Sequence, residues 1–224
     1  LAPLAVAPVS PPAAKASPSL DDAATCNTDS TAPPADQLAA CERLLTGNLD
    51  NGARHDALNT LGGAQYNLGR LDEALKSFRA ATEIDAKDSA PFFNIGLVRL
   101  AQYRFVEARA AFDTAARLNP DGSSTLYQRS VALGDLGDFD SALADITRAI
   151  AMKGDESDYH AQLAVLELAA GDVDAAVRAV DKAADLDATN WSGTAVIAYY
   201  LAGQRDKAAA VIDQGVKEQP NYPY

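Results

Sequence analysis

One interval constrains this chain more than any other feature: a step of 34 residues. Gly69 and Gly137 stand 68 residues apart, twice that step, and Gly137 and Gly171 stand 34 apart. The missing member falls at position 103, where a tyrosine takes the glycine's place. Other landmarks keep the same phase. Small residues recur at Ala74, Ala108, Ala142 and Ala176, bulky apolar ones at Phe78, Phe112, Ile146 and Val180. A second alanine recurs at Ala81, Ala115, Ala149 and Ala183, followed by Ile84, Leu118, Met152 and Leu186. A fifth copy begins two residues early: Gly203, Ala208, Ile212 and Pro220 keep the internal spacing, with Gly215 in place of the second alanine. The copies are assigned to residues 55–88, 89–122, 123–156, 157–188 and 189–224. A fixed period of this length is the mark of a repeat array, not of a domain built around one pocket.

The spacing has a physical meaning. Inside each copy, apolar and small residues recur at three- and four-residue steps, the period of an amphipathic helix. The mid-copy glycine divides each copy into two helices. Acidic residues follow it (Asp72 and Glu73, Asp138 and Asp140, Asp172 and Asp174, Asp206), where they cap a helix start or complement its dipole. The alanines let paired helices approach closely, and Phe78 or Phe112 fills the space beside them. One hairpin cannot hide its apolar face, but a stack of them can. With 48% hydrophobic and 22% charged residues, and aromatics at only 7%, the composition suits a helical core.

These landmarks resemble the tetratricopeptide repeat family. Gly62, Gly96, Ser130, Ala164 and Val196 occupy the family's small-residue position, preceded by Leu61, Ile95, Arg129, Leu163 and Ala195. Pro120 and Pro220 match the closing proline, while Ala86, Gly154 and Ala188 depart from it. The resemblance implies an all-α fold: a right-handed superhelical solenoid of five helical hairpins, about ten helices, plus an N-terminal capping helix, with a concave groove. In the family, four positions of each first helix line that groove. Here they are Asn59 and Tyr66; Phe93, Leu97 and Leu100; Tyr127 and Val131; Val165 and Leu168; Ile197 and Tyr200. Aromatics interleaved with aliphatics suit an extended apolar or proline-containing peptide. The alternative for any of them is a core position, because a register error of one residue exchanges faces. A well-known subfamily grips the C-terminal carboxylate of heat-shock chaperones with basic residues and asparagines. Its positions hold Asn59, Gly63, Asn94, Ser124 and Gln128 here, and Asn94 alone matches, so that function is rejected.

The front end departs from the period. Residues 36–46, DQLAACERLLT, read as one amphipathic helix, with Ala40 and Leu44 at repeat landmarks. Pro33 and Pro34 upstream break any long first helix. Residues 21–54 read as a decayed repeat that caps the array, since terminal repeats must show solvent a polar face. The chain's two cysteines, Cys26 and Cys41, both lie in this cap. In the repeat frame they sit on facing helices near the tight contact. A disulfide closing that loop would contribute roughly 3 kcal/mol; the alternative is a pair of buried free thiols. The spacing is not the C-x-x-C of a redox-active pair. This opening also resembles small secreted bacterial repeat proteins with a paired-cysteine cap, which implies an oxidising compartment such as the periplasm.

Residues 1–20, LAPLAVAPVSPPAAKASPSL, read as an extended Ala/Pro-rich arm, because the prolines forbid a stable helix. Ala14-Lys15-Ala16 matches a signal-cleavage pattern, yet a proline-dense stretch is a poor signal core. The arm is expected to be a mature linker downstream of a removed signal, docking on a repeat surface of the same or another molecule. A net charge of −12 disfavours nucleic acid and anionic membrane surfaces. No apolar run reaches the ~20 residues of a membrane span.

His55 and His160, on different copies, fit no metal set and are expected to be surface or packing residues. GDLGDFDSALAD lacks the ligand run of a calcium loop. No hydrolase, phosphate-loop or dinucleotide fingerprint occurs, and no cofactor is implied. The expectation is a non-catalytic scaffold for a protein or extended peptide, in the periplasm or secreted, as an accessory subunit of an envelope complex. A structural subunit of an extended assembly, joined through its arm and its ends, is the alternative; a cytosolic chaperone adaptor fits less well. At the far end, Val211, Ile212 and Val216 form an apolar stripe with no following copy. It serves self-association, or Tyr222 and Tyr224 fold back over it.

Overall fold

The four glycines spaced by the repeat all adopt the left-handed backbone that favours glycine: Gly69, Gly137, Gly171 and Gly203 have φ of +74°, +78°, +85° and +74°. Tyr103, at the vacant place in the period, does the same with φ +57°. Each turn is closed by the same two hydrogen bonds. At the first, the Gly69 N–H donates to the Tyr66 carbonyl at 2.9 Å and the Arg70 N–H to the Gln65 carbonyl at 2.8 Å. At Tyr103 the pair runs to Leu100 and Arg99, at 2.8 Å each. This double closure satisfies carbonyls that a helix end leaves bare. A tyrosine accepts the conformation at a cost of roughly 1–2 kcal/mol. Tyr103 is 81% exposed, and its ring stands edge-on to that of Phe105 at 6.2 Å. Tyr103→Gly is therefore expected to stabilise the protein by about 1 kcal/mol, and Gly137→Ala to destabilise it by about as much. Urea unfolding followed by circular dichroism checks both.

The computed structural model describes residues 19–187 and 193–218, all helix and connecting turns. It divides into two units, residues 1–84 and 85–224. The arm expected at residues 1–20 lies outside the described residues up to position 18, as do Ala188, Pro220, Tyr222 and Tyr224.

The first unit holds α1 (Leu20–Thr25), α2 (Pro34–Leu44), α3 (Asn51–Asn67) and α4 (Leu71–Ile84). Pro33 and Pro34 open α2, at its N-cap and first position, where a missing N–H costs nothing. Asp50 caps α3 by accepting from the Ala53 N–H at 2.8 Å, so this helix starts ahead of the sequence boundary at 55. The core gathers Cys26, Ala40, Cys41, Ala57 and Leu61, with Leu38, Leu44, Leu45 and Leu49 packed around them. Between α3 and α4, the buried Ser77 hydroxyl donates to Gln65 Oε1 at 2.7 Å.

The second unit stacks four hairpins: α5 (Ala90–Ala101) with α6 (Phe105–Leu118), α7 (Ser123–Asp135) with α8 (Phe139–Met152), α9 (Ser157–Ala170) with α10 (Val173–Leu186), and α11 (Gly193–Leu201) with α12 (Arg205–Glu218). Asp138 and Asp172 cap α8 and α10 by accepting from Ser141 and Ala175 N–H groups. Within this unit α6 packs on α7, α8 on α9 and α10 on α11.

Within the hairpins, the small-residue position meets the bulky one. A Cβ at Gly62 would lie 2.6 Å from the Phe78 ring, and one at Gly96 would also fall inside contact distance of Phe112. Both rings are buried, 1% and 0% exposed. The equivalent places hold Ser130 with Ile146, then Ala164 with Val180. As the bulky partner shrinks, the small position grows, which keeps the packing dense.

Candidate functional site

The cap is locked twice. Cys26 and Cys41 form a disulfide with Cα atoms 4.9 Å apart, and both residues are buried. Beside it, Asp22 and Ser19 make a reciprocal capping box at the start of α1: the Ser19 N–H donates to Asp22 Oδ2 at 2.8 Å and the Asp22 N–H to Ser19 Oγ at 3.2 Å. Arg43 of α2 donates through Nε and Nη2 to Asp22 Oδ1 at 2.9 and 2.6 Å. These Arg43 bonds, followed by the Ser19 backbone bond, hold the Asp22 carboxyl at about 2. The pairing therefore stabilises the cap above the ordinary carboxylate range and is lost as pH falls through about 2.

The groove residues expected from the sequence fall into two groups by unit. On α3, Asn59 and Tyr66 are half-buried. In the second unit, Phe93, Leu97, Tyr127 and Val131 are half-buried, whereas Val165, Ile197 and Tyr200 are 43%, 53% and 61% exposed. The half-buried members also serve packing. Phe93, Leu97 and Leu100 lie against the buried cluster of Ala108, Phe112 and Ala132, with the Phe93 and Phe112 rings 5.8 Å apart. Tyr127 stacks on Tyr159 at 4.9 Å, with ring planes 27° apart. Burial, then the Asp158 carboxylate, pushes the Tyr127 hydroxyl's pKa upward. The nearly buried Tyr159 hydroxyl lies 3.2 Å from Ser123 Oγ and 3.4 Å from Ser124 Oγ, so it links α7 to α9. Tyr159 carries no signal in the sequence beyond being aromatic, because its role appears only when α7 and α9 come together.

At the start of α5 and α7, a cleft of about 340 Å³ is lined by Phe93, Ser89, Asn119, Asp121, Ser124 and Thr125, among others. Phe93 is its large apolar wall and the rest is mainly polar.

A second feature escaped the sequence reading. Arg129 sits where other copies carry Leu61, Ile95 or Leu163. Its guanidinium takes both oxygens of Asp145 at 2.6 and 2.7 Å and Asp113 Oδ1 at 3.0 Å. It thus ties α6, α7 and α8 together at a cleft of about 240 Å³. The Asp145 bonds raise its already high pKa, against the opposing effect of burial. The sequence signal was the departure from an apolar position, but only the fold brings the two aspartates beside it.

The histidines are buried packing residues. His160 Nε2 donates to the Gly154 carbonyl at 3.0 Å, and His55 Nδ1 lies 3.0 Å from Asp56 Oδ1. Among the described residues no cluster of three or more metal-ligating side chains occurs, and no helix is long and apolar enough to cross a membrane.

Two tetratricopeptide-repeat family models match the chain, one over residues 55–88 and the other over residues 127–190. Among solved structures, a tetratricopeptide repeat protein from Parabacteroides merdae superposes with a TM-score of 0.70 at 20% identity, over 83% of this chain and 73% of that one. YrrB, described as a repeat protein with an unusual peptide-binding site, gives 0.59 at 20% identity over 74% and 87%. MamA gives 0.61 at 17% identity over 69% and 89%. These likenesses show the fold. Superkiller protein 3 of Schizosaccharomyces pombe is 26% identical over 97 residues, 43% of this chain, and the chain spans only 7% of that relative's length. The period, the left-handed turns, the small-against-bulky hairpins and these matches converge: this chain carries tetratricopeptide repeats, matched over residues 55–88 and 127–190, and a disulfide-closed N-terminal cap.

Proposed function

We propose that the chain is a non-catalytic scaffold that binds an extended, apolar or proline-containing segment of a partner protein along its first helices. The observation that carries this is the exposure of Val165, Ile197 and Tyr200. Val165 and Ile197 hold the same place on the consecutive first helices α9 and α11, Tyr200 follows Ile197 by about one turn, and 43–61% of each of the three is open to solvent. Phe93, Leu97, Tyr127 and Val131 extend the same register with smaller exposed areas. In the first unit, Asn59 and Tyr66 occupy that register on α3. The peptide-binding site described for YrrB supports such a use of the fold. Aromatic and aliphatic side chains in this register favour a peptide with preset extended backbone, which loses little entropy on docking. The disulfide supports a place in an oxidising compartment, periplasmic or secreted, where an accessory role in an envelope complex fits.

The half-buried residues are poor test positions, because truncating them also opens the core. The exposed ones are better. A displayed library of extended apolar and proline-rich peptides selects a binder, and fluorescence anisotropy measures it against wild type and Ile197→Ser/Tyr200→Ser. Loss of a buried aromatic anchor should weaken binding by about thirtyfold or more, equal to about 2 kcal/mol. A selected binder whose affinity is indifferent to the double change would refute the assignment.

A further inference from the structure

The last hairpin differs from the three before it in the second unit. Phe112, Ile146 and Val180 are 0%, 0% and 6% exposed, yet Ile212, at the same place in the period, is 46% exposed. The reason lies in the stacking. α6 is covered by α7, α8 by α9 and α10 by α11; among the described residues no helix covers α12. One turn beyond Ile212, Val216 is 44% exposed, and Leu201 at the end of α11 is 58% exposed. An apolar stripe of this kind on a repeat end is what a further hairpin would ordinarily bury.

The charges beside the stripe point to one occupant. Asp213 and Lys217 stand one turn apart on the same flank of Ile212 and Val216. Turned antiparallel about a point near Gly215, a second α12 brings its Lys217 opposite Asp213, and its Asp213 opposite Lys217. The same rotation lays the Ile212–Val216 stripe against its own copy. A face that complements itself under a two-fold rotation is the requirement for an isologous dimer.

We infer that α12 is the interface through which two copies of this chain pair, antiparallel and two-fold symmetric. This pairing uses the second helix of the last hairpin and requires nothing of the proposed peptide surface on the first helices. The net charge of −12 on each copy opposes association at long range, so moderate salt favours the dimer by screening. The contact is small, which places the association among weak, concentration-dependent ones.

Sedimentation equilibrium of the full chain, from micromolar to hundreds of micromolar in moderate salt, tests the inference. The expected result is a mass rising from one chain towards two, and a monomer throughout for Ile212→Glu with an unchanged circular dichroism spectrum. Asp213→Lys or Lys217→Asp alone should weaken pairing about tenfold, since each creates two like-charge contacts, and the double exchange should restore it. Deletion of residues 219–224 should leave pairing intact or strengthen it. A wild type that stays monomeric, a dimer insensitive to Ile212→Glu, a charge exchange that does not restore pairing, or a dimer lost with residues 219–224 would each overturn the inference.

Discussion

Gly62→Ala is expected to destabilise the first unit by about 1–3 kcal/mol, while Gly63→Ala, one residue along the same helix, is expected to stabilise it by up to about 1 kcal/mol. Both substitutions add one methyl group and raise intrinsic helix propensity equally. They differ in what the methyl meets. At Gly62 it would fall 2.6 Å from the Phe78 ring, which is 1% exposed and has nowhere to move. At Gly63 nothing lies within 4 Å. The chain itself contains the remedy, in the Ala164 and Val180 pair of a later copy. Phe78→Val alone should cost about 2–4 kcal/mol through the cavity it leaves. Gly62→Ala/Phe78→Val should be more stable than the sum of the single changes by at least about 1 kcal/mol. Urea unfolding of the four proteins measures the coupling. A cycle that closes with no coupling would mean that the two positions do not set each other's size.

The second large effect is expected in the cap. Replacing both cysteines, as Cys26→Ala/Cys41→Ala, should cost about 3 kcal/mol of first-unit stability. The closed loop spans 15 residues, and α1 has only six residues of its own with little apolar surface to bury. Without the disulfide, the Asp22–Arg43 pairing becomes the main polar tie between α1 and α2. That tie is present while Asp22 is ionised and disappears as pH falls through about 2. Thermal melts should therefore show a lower transition for the double variant at neutral pH. The gap should remain as pH drops to 3. In native protein under non-reducing conditions, alkylating reagents should label no thiol; two labelled thiols would contradict the disulfide.

Much of the fold was legible because its cause is local. The glycine places, the alanines and the aspartate caps act within one hairpin, so a period in the sequence carries them directly. The Tyr103 gap was legible as a gap, but the tyrosine's left-handed backbone is a finding of the structure: the two closing hydrogen bonds hold the turn regardless of the residue. Pro33 and Pro34 were expected to break any long first helix; α1 stops at Thr25, and the two prolines then begin α2, because a proline's missing N–H is harmless in the first turn.

The candidate surface was legible only in part. Position in the copy placed Phe93, Tyr127, Ile197 and Tyr200 on first helices, but exposure depends on what the next hairpin brings. Tyr127 acquires a stacked Tyr159 and Phe93 a buried Phe112, whereas Ile197 and Tyr200 stay open. Arg129 departs from an apolar pattern in the sequence, and its meaning came from Asp113 and Asp145, which approach it from two other helices.

By itself, then, the sequence determined the hairpin: its length, its turn, its close helix contact and the cysteine-bearing cap, all set by interactions between residues less than one repeat apart. The tertiary structure decided which side chains of equal sequence rank face neighbours and which face water. That choice belongs to stacking, because a residue's exposure on a repeat is fixed by the next repeat's surface and not by its own neighbours in the chain. Ile212 shows it most directly, sharing its place in the period with three buried residues and standing 46% exposed where no described helix covers it.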